Sequence, residues 1–482
     1  MEFMKDKLKL YLVTDRSWST DENFISHIKD ALDGGVTCLQ LREKNVGEKA
    51  FIECAKQVKA LTEDYQVPFI INDNIHVALE SNADGLHLGQ GDISVSDARE
   101  ILGPDKVIGV TCKTVEQALL AQAQGASYIG SGAVFGSTTK LDTSTLDHRI
   151  LKAICQAVKI PVVAIGGVNE DNILELTGTK VDGVAVVSSI LAKEDKKLAS
   201  QNLLRLTSKM IQHEMPRVLT IAGSDCSGGA GIQADLKTMA AHGCYGMSVI
   251  TALTAQNTTG VYGVENCTPD FVRNQLNCVF SDILPQAVKI GMVSSKEIIL
   301  EIAQTLKELT QGIESLEDKR MHIVLDPVMV STSGSKLLDE DALDCLMNEL
   351  MPLASVITPN LAEAELLTGM SIQTTEDMLK AAKILSKKYK GHLLIKGGHL
   401  KDHANDLLYF EDRPYWFEGE KVDNPNTHGT GCTLSSAIAS HLAKGYSLPQ
   451  SIKKSKAYLT GAIADKMDLG KGRGPLNHMY ML

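Results

Sequence analysis

The sequence predicts an α/β protein in two parts, a (β/α)8 barrel followed by a doubly wound α/β sheet. Three observations predict it. Eight strand-sized apolar runs lie in the first 190 residues, most of them separated by helix-like segments. A short polar stretch, QHEMP (212–216), then ends in proline and leads into a fresh strand, RVLTIAGSD (217–225). Beyond it strands and helices alternate again for about 265 residues. Alternating strands and helices pair in parallel with the helices outside, and eight such units in about 200 residues fit a closed barrel. An open doubly wound sheet is the other reading of the first part. The expected division is therefore a barrel over 1–211, a linker over 212–216 and a second domain over 217–482.

The barrel strands are expected in LKLYLVT (8–14), TCLQLRE (37–43), PFIIND (68–73), GLHLGQ (85–90), VIGVTC (107–112), YIGSGAVF (128–135), PVVAIGG (161–167) and GVAVVSS (183–189). Several are rich in Val, Ile and Tyr, and all have strand length. Between them, TVEQALLAQAQG (114–125) opens with a T-x-x-Q capping box and ends on glycine. HRILKAICQAVK (148–159) reads as a helix, as does NEDNILELTG (169–178) with Asn169 at its N-cap. LASQNLLRLTSKMI (198–211) closes the barrel as an amphipathic helix. Later strands are expected at 217–225, 246–254, 287–293, 322–330, 355–360 and 392–398, with helices over 296–309 and 375–389.

Composition limits the partners. Hydrophobic residues make up 44% and charged residues 22%, an ordinary globular balance. The net charge of −11 gives no global field for nucleic acid or an anionic membrane, so an anionic small ligand needs local basic pockets. No run of about 18 apolar residues predicts a membrane span, and the N-terminal stretch lacks a signal-peptide pattern. The ten cysteines are scattered and none forms a CxxC pair. That argues against a zinc site and against a disulfide scaffold, and for a reducing cytoplasm. A homo-oligomer is left open.

Polar residues collect at the C-terminal ends of the barrel strands, the face that carries chemistry in such barrels. Gln40, Arg42 and Lys44 alternate onto one face if strand two persists that far, and two cations with an amide suit a polyanion. A solvated basic edge is the plainer reading. Asp73 after strand three and Asp92 after strand four are placed to hold Mg2+ against phosphates; aspartates that merely cap loops are the alternative. After strand six, Gly136-Ser137-Thr138-Thr139-Lys140 offers hydroxyls, backbone N–H groups and a lysine, a phosphate cradle. Gly166-Gly167 and Val187-Ser188-Ser189 follow strands seven and eight, where such barrels recurrently bind phosphate.

In the second part the strongest local signal is NTHGTGC (426–432), a glycine-rich turn that opens a small-residue helix. Unpaired N–H groups at Gly429 and Gly431 and the positive helix end make an anion site. Cys432 falls in the first turn, where a thiol is expected to shift toward thiolate and to accept a hydroxyl proton. A buried cysteine beside a structural turn is the alternative. SGGAGIQAD (227–235) is a glycine turn without the G-K-[ST] of a Walker A loop. Asn360 and Glu363 are then placed to arrange Mg2+ waters and triphosphate oxygens, Lys396 in the KGGH turn is expected at the nucleotide, and Asp326 either captures Mg2+ or merely caps the Pro327 turn.

Two resemblances follow from these motifs. YLVTDR (11–16), QLREK (40–44), IND (71–73), HLGQGD (87–92), STTK (137–140) and AIGG (164–167) together resemble thiamine-phosphate synthase over about residues 8–210. The resemblance implies that Gln40, Arg42, Lys44, Asn72 and Lys140 hold a pyrimidine diphosphate, the cations stabilising it as it leaves. It implies Asp73 and Asp92 as Mg2+ ligands, Thr111 near the pyrimidine, and Ser137, Thr139, Gly167, Val187 and Ser188 at the thiazole phosphate. Gly136 and Ser137 depart from the proline and threonine common in that family, and Asn74 stands where a basic residue is common. TIAGSD (220–225), LTAQNT (253–258), DPVM (326–329), TPNLAEAE (358–365), KGGH (396–399), NTHGTGC and GPLNHMY (474–480) closely resemble hydroxymethylpyrimidine/phosphomethylpyrimidine kinase, of the ribokinase superfamily. That resemblance implies that Gln256 pairs with the aminopyrimidine and that Gly223, Ala230, Asp235 and Met292 line the same pocket. ATP and Mg2+ are the implied co-substrate and metal. Cys226 replaces a residue that is usually serine or proline. The kinase family makes the diphosphate that the synthase family consumes, so the chain is expected to be a bifunctional thiamine-biosynthesis enzyme. A pyridoxal-type salvage kinase fused to a synthase, and a kinase with a barrel that only senses thiazole phosphate, are the alternatives.

Overall fold

The structure, a computed structural model, describes residues 2–44, 46–136, 145–212, 214–311, 321–329, 340–398, 400 and 404–481. The chain divides into two units, Met1–Glu214 and Met215–Leu482.

In the first unit β1 (Leu10–Val13), β2 (Cys38–Leu41), β3 (Phe69–Asn72), β4 (Gly85–Leu88), β5 (Val107–Thr111), β6 (Tyr128–Gly132), β7 (Val162–Ile165) and β8 (Gly183–Val186) close in sequence order into a barrel. All neighbours are parallel, and β1 pairs with β8. The predicted runs therefore contain the strands, but their C-terminal ends are loops that carry the polar groups. Side chains alternate along each strand. Leu12, Leu39, Ile71, Leu86, Ile108 and Ile129 point outward to the helices. Tyr11, Val13, Cys38, Ile70, Tyr128, Val163 and Ala185 fill the barrel interior. Gly109 makes room for this filling: a Cβ there would lie 2.1 Å from Cζ of Tyr128.

Two local expectations change. Thr114 caps the helix Val115–Ala123 by accepting the Gln117 N–H, but the Gln117 side chain takes the N–H of Lys113 instead of Thr114, so no reciprocal box forms. The stretch 169–178 gives only one 3-10 turn, Ile173–Leu176. Asn169 and Asn172 donate instead to the Gly167 carbonyl, at 3.1 and 2.9 Å. Such side-chain bonds to the backbone compete with helix.

The second unit is a nine-stranded sheet: β9 (Arg217–Asp225), β10 (Tyr245–Asn257), β11 (Gly260–Asn266), β12 (Ala287–Ile290), β13 (His322–Leu325), β14 (Val356–Ile357), β15 (His392–Ile395), β16 (Asp406–Phe410) and β17 (Arg413–Phe417). Its order is β11-β10-β9-β12-β13-β14-β15-β16-β17. The six central strands are parallel and the edges, β11, β16 and β17, run antiparallel. Apolar cores cover both faces. On one face lies the helix Thr430–Lys444, in which every residue from Thr433 to Ala443 is buried. The edge strands were absent from the sequence-based expectation. Glu411 and Asp412 both adopt positive φ between β16 and β17, as a two-residue hairpin turn of type I′ requires, without the usual Asn-Gly or Asp-Gly signal.

Candidate functional site

On the barrel, Gln40 and Asn72 stand at the ends of β2 and β3, and Thr111 ends β5. β2 stops at Leu41, so Arg42 and Lys44 belong to the following loop rather than to one strand face. Arg42 donates to Asp15 Oδ2 at 3.0 Å. Glu43, between the two cations, turns inward to Arg16 at 2.8 Å. Asp73 adopts φ +61 and donates its N–H to the His87 carbonyl at 2.9 Å, which turns its side chain out of the strand direction. Desolvation and the Asp92 carboxylate beside it raise the Asp73 pKa, while Asn72 and Lys44 oppose the rise. The ends of β2, β3 and β4 thus bring two carboxylates, an amide and a lysine together. Asp92 also accepts the Gly89 N–H at 2.6 Å, so it closes its own loop as well. Among the described residues no group of three or more His, Cys, Asp or Glu forms a metal cluster; Mg2+ typically needs only one or two carboxylates beside substrate phosphates. Asn74 is occupied as a helix cap, accepting the Val77 N–H at 3.0 Å.

A chain of side chains below this rim was not foreseen. Gln40 donates to Tyr11 at 2.8 Å, the Tyr11 and Tyr128 hydroxyls lie 2.8 Å apart, and His87 Nδ1 lies 2.9 Å from the Tyr128 hydroxyl. His87 Nε2 is 3.0 Å from the Thr111 hydroxyl. Gln40, expected on the pyrimidine diphosphate, and Thr111, expected near the pyrimidine, are thereby joined by one network through the barrel. The available signal was strand parity, since Tyr11, Gln40, His87, Thr111 and Tyr128 all fall on inward positions.

At the ends of β7 and β8, Gly166 and Gly167 adopt φ +98 and +70. A Cβ at Gly167 would meet the Gly136 carbonyl at 2.4 Å, so this turn lies directly against the loop after β6. Val187 precedes the short turn of helix Ser188–Leu191, and Ser189 donates to the Val168 carbonyl at 2.5 Å. Ser137, Thr138, Thr139 and Lys140 lie outside the described residues.

In the second unit the functional groups gather at the C-terminal ends of the central strands, where ligands bind in open α/β sheets. Gly429 caps the helix Thr430–Lys444 with φ +83. Its Cβ would sit 2.0 Å from the Gly229 carbonyl, so the two glycine turns interlock. A Cβ on Gly431 would lie 3.1 Å from Asp326 Oδ2 and 3.4 Å from Lys396 Nζ. Lys396 donates to Asp326 at 2.7 Å. Asn360 and Glu363 form a reciprocal capping box, with bonds of 2.8 and 2.9 Å. Both are thus committed to a helix start, yet the buried Glu363 carboxyl also feels Lys396 and Asp326. Burial first, and then Asp326, raises its pKa to about 7 against the pull of Lys396.

Two expectations need correction. Cys432 is not shifted toward thiolate: burial pushes its thiol up to about 11, although Lys289 and the Gly231 N–H pull it down. The helix end is outweighed by the desolvation of the partly buried thiol. Asp235 does not line a pocket. It is fully buried in an ion pair with Lys289 at 2.8 Å, and Thr220 and Ser436 donate to it at 2.6 and 2.7 Å.

Gly223, Ala230 and Met292 do collect. A Cβ on Gly223 would touch Met292 Cε at 2.7 Å, and Ala230 donates its N–H to Asp225 at 2.9 Å. Gln256 sits at a register shift between β10 and β11, where a bulge re-aims the side chain. Its backbone, still paired with Val261, is also held by Cys226, whose Sγ accepts the Gln256 N–H at 3.3 Å and donates to its carbonyl at 3.1 Å. That gives Cys226 a physical role the sequence alone did not supply. His428 was missed altogether: its Nε2 lies 3.0 Å from Asp225 and 3.2 Å from the Gln256 amide.

Comparisons agree with this geometry. Residues 10–190 match the family model of thiamine monophosphate synthase, and residues 225–477 that of phosphomethylpyrimidine kinase. The thiamine biosynthesis bifunctional protein ThiED of Geobacter sulfurreducens is 43% identical over 98% of this chain and 94% of its own. The hydroxymethylpyrimidine/phosphomethylpyrimidine kinase of Rhizobium meliloti is 49% identical over 54% of this chain and 96% of its own. The pyridoxal kinase of Staphylococcus aureus in complex with ADP is 34% identical with a TM-score of 0.51, over 56% of this chain and 95% of that one. With both family models in tandem and a full-length relative at that identity, the chain belongs to the bifunctional thiamine biosynthesis proteins that join a thiamine monophosphate synthase to a phosphomethylpyrimidine kinase.

Proposed function

We infer that the second unit phosphorylates hydroxymethylpyrimidine and then its monophosphate with ATP, and that the first unit joins the resulting diphosphate to thiazole phosphate, giving thiamine phosphate and diphosphate. The observation that carries this reading is the tandem of the two family matches along one chain. Each site sets a pair of carboxylates beside a lysine at strand C-terminal ends: Asp73 and Asp92 with Lys44, Asp326 and Glu363 with Lys396. The stronger likeness to the pyrimidine kinase, 49% against 34% for the pyridoxal kinase, favours the pyrimidine as substrate.

In the kinase, Gln256 offers an amide to the aminopyrimidine edge. The N–H groups of the Gly429–Gly431 turn face the transferring phosphoryl group, and Lys396 stands beside that turn to take up phosphate charge. Cys432 takes the proton of the attacking hydroxymethyl group.

In the synthase, the carbon–oxygen bond to diphosphate breaks at the pyrimidine methylene, and a bond from the thiazole nitrogen replaces it. The amino-substituted ring stabilises positive charge on that methylene, so no protein nucleophile is needed. Cys38 and Cys112, both buried with pKa raised by burial, are unsuited to be one. Arg42 and Lys44, with Lys140 from the loop after β6, carry the positive charge for the leaving group. Asp73 and Asp92 fit Mg2+, because the two carboxylates lie side by side with Lys44 near them; bound there, the metal would supply Lewis-acid stabilisation of the departing diphosphate. Gly167, Val187 and Ser188, with Ser137, Thr138 and Thr139, take the thiazole phosphate.

No described helix is long and apolar enough to cross a membrane. The described cysteines are all free thiols, which suits a reducing cytoplasm. One incubation of pure protein with hydroxymethylpyrimidine, thiazole phosphate and Mg-ATP tests the whole reading. Thiamine phosphate is the expected product; accumulation of the pyrimidine diphosphate alone would remove the barrel from catalysis.

A further inference from the structure

We propose that Asp225 and His428 fix the polarity of the Gln256 amide, carbonyl oxygen toward His428 and nitrogen toward Thr254, and so decide which pyrimidine edge the kinase accepts. The inference rests on the reading that Gln256 meets the pyrimidine.

The argument starts from Asp225. Burial alone would raise its pKa, but donors from His428, Ser227 and Ala230 hold it well below the usual carboxylate range. Its oxygens accept the Ser227 N–H at 2.9 Å, the Ser227 hydroxyl at 2.7 Å, the Gly229 N–H at 3.2 Å and the Ala230 N–H at 2.9 Å. It is therefore an acceptor only. His428 Nε2, 3.0 Å away, must carry the proton between them. A ring nitrogen that donates has no lone pair left for a second donor. The Gln256 amide atom 3.2 Å from that nitrogen is consequently an oxygen.

The far end of the amide gives the same answer independently. The Thr254 hydroxyl has one proton, and the Ser224 carbonyl at 2.8 Å can only accept it. Thr254 then presents lone pairs alone to the other Gln256 atom, 3.3 Å away, which is consequently the nitrogen. The opposite orientation would set donor against donor at His428 and acceptor against acceptor at Thr254. A half-turn of the amide removes both conflicts at once.

The donor is also held in place. His428 packs so closely on the glycine turn that a Cβ on Gly229 would fall 2.5 Å from its Cδ2. Its backbone N–H donates to the Gly474 carbonyl at 3.3 Å. With its polarity fixed, Gln256 keeps one lone pair and one N–H for a ligand. An aminopyrimidine edge offers an exocyclic N–H beside a ring-nitrogen lone pair and matches them in one order. The corresponding oxo-pyrimidine offers a carbonyl beside a ring N–H, the reverse order, and a fixed amide rejects it. Asp225 and His428 are positioning residues, acting through Gln256.

The test uses the full-length chain and compares kinase kcat/KM for hydroxymethylpyrimidine and for its 4-oxo analogue. His428→Phe keeps a ring but removes the donor, so the amide is free to turn. The amino-to-oxo preference should fall about tenfold or more, with the KM for ATP unchanged. His428→Gln, whose amide nitrogen reaches the same place, should restore much of the preference, which a merely structural role would not predict. If His428→Phe lowers the melting temperature, Thr254→Val reads the other anchor and should also lower the preference. An unchanged preference in a folded variant, while Gln256→Leu raises the pyrimidine KM, overturns this inference alone. An unchanged pyrimidine KM in Gln256→Leu overturns instead the reading that Gln256 meets the substrate.

Discussion

Cys432 gives the sharpest test of the kinase mechanism. With its thiol held near 11 by burial, only about one molecule in ten thousand carries a thiolate at neutral pH, and forming it costs about 5 kcal/mol. The surroundings are arranged to reduce that cost in part. The buried Lys289 ammonium and the Gly231 N–H favour the thiolate, while Asp235 and Asp326 oppose it. Because the pKa is raised, the thiolate is scarce below it and increases with pH. If the thiolate is the base, log kcat/KM for hydroxymethylpyrimidine should therefore climb with a slope near one between roughly pH 7 and 9, since kcat/KM reports groups of the free enzyme. Cys432→Asp supplies a carboxylate ionised over that whole range and should flatten the profile. Cys432→Ala should lower turnover by about 10²–10⁴-fold. Thiamine phosphate formation from supplied pyrimidine diphosphate should be unaffected in both and serves as the internal control for folding. A flat wild-type profile, together with ordinary turnover in Cys432→Ala, would refute the reasoning.

Three further outcomes are expected. Lys289→Met strands the Asp235 carboxylate without a cation and should destabilise the second unit by about 3–5 kcal/mol in urea; combined with Asp235→Asn the loss should be smaller, and equal losses would show that the two residues do not act as a pair. Gly109→Ala puts a Cβ 2.1 Å from the Tyr128 ring and should cost about 1–3 kcal/mol while weakening the synthase; an unshifted melting temperature would mean that the barrel filling is loose there. Asp73→Asn with Asp92→Asn should stop thiamine phosphate formation from supplied pyrimidine diphosphate and leave the kinase unchanged. If that variant reaches the wild-type rate at the same low Mg2+, the two carboxylates are loop caps only.

The sequence made the layers legible because buried parallel strands are written as local apolar runs, and all eight barrel strands lie inside such runs. It also exposed Asp73 and Asp92 after barrel strands and Cys432 in the first turn of a helix. It missed what depends on distant pairing. β11, β16 and β17 are antiparallel edge strands, and β11 is almost wholly exposed, so no apolar run announced it. His428 and Gln256 are separated by 172 positions, and the Tyr11–Tyr128 contact by 117. No local pattern joins such pairs; only the closure of the sheet or barrel does. The misreading of Cys432 has a related cause. A helix start lowers a thiol pKa, but desolvation of the thiol raises it more, and how far a side chain is removed from water depends on groups from other parts of the chain, Gly231 among them.

How a protein of net charge −11 handles polyanions can be argued from the two sites together. Among the described groups of the barrel rim, Arg42 is paired with Asp15, and Lys44 lies near the neighbouring Asp73 and Asp92 carboxylates. A free diphosphate arriving there would meet two carboxylates as well as these cations. The kinase site has the same balance, with Lys396 shared between Asp326 and Glu363. In both, burial comes first in raising the pKa of one carboxyl, and repulsion from the neighbouring carboxylate adds to it, at Glu363 against a larger pull from Lys396. A divalent cation relieves that repulsion and at the same time supplies the positive charge a phosphate needs. On the proposed reading, metal and phosphate therefore enter as one unit, and neither site needs the large basic patch whose absence is plain in the composition. On that reading, the paired carboxylates of each site favour the magnesium complex of its substrate over the bare anion.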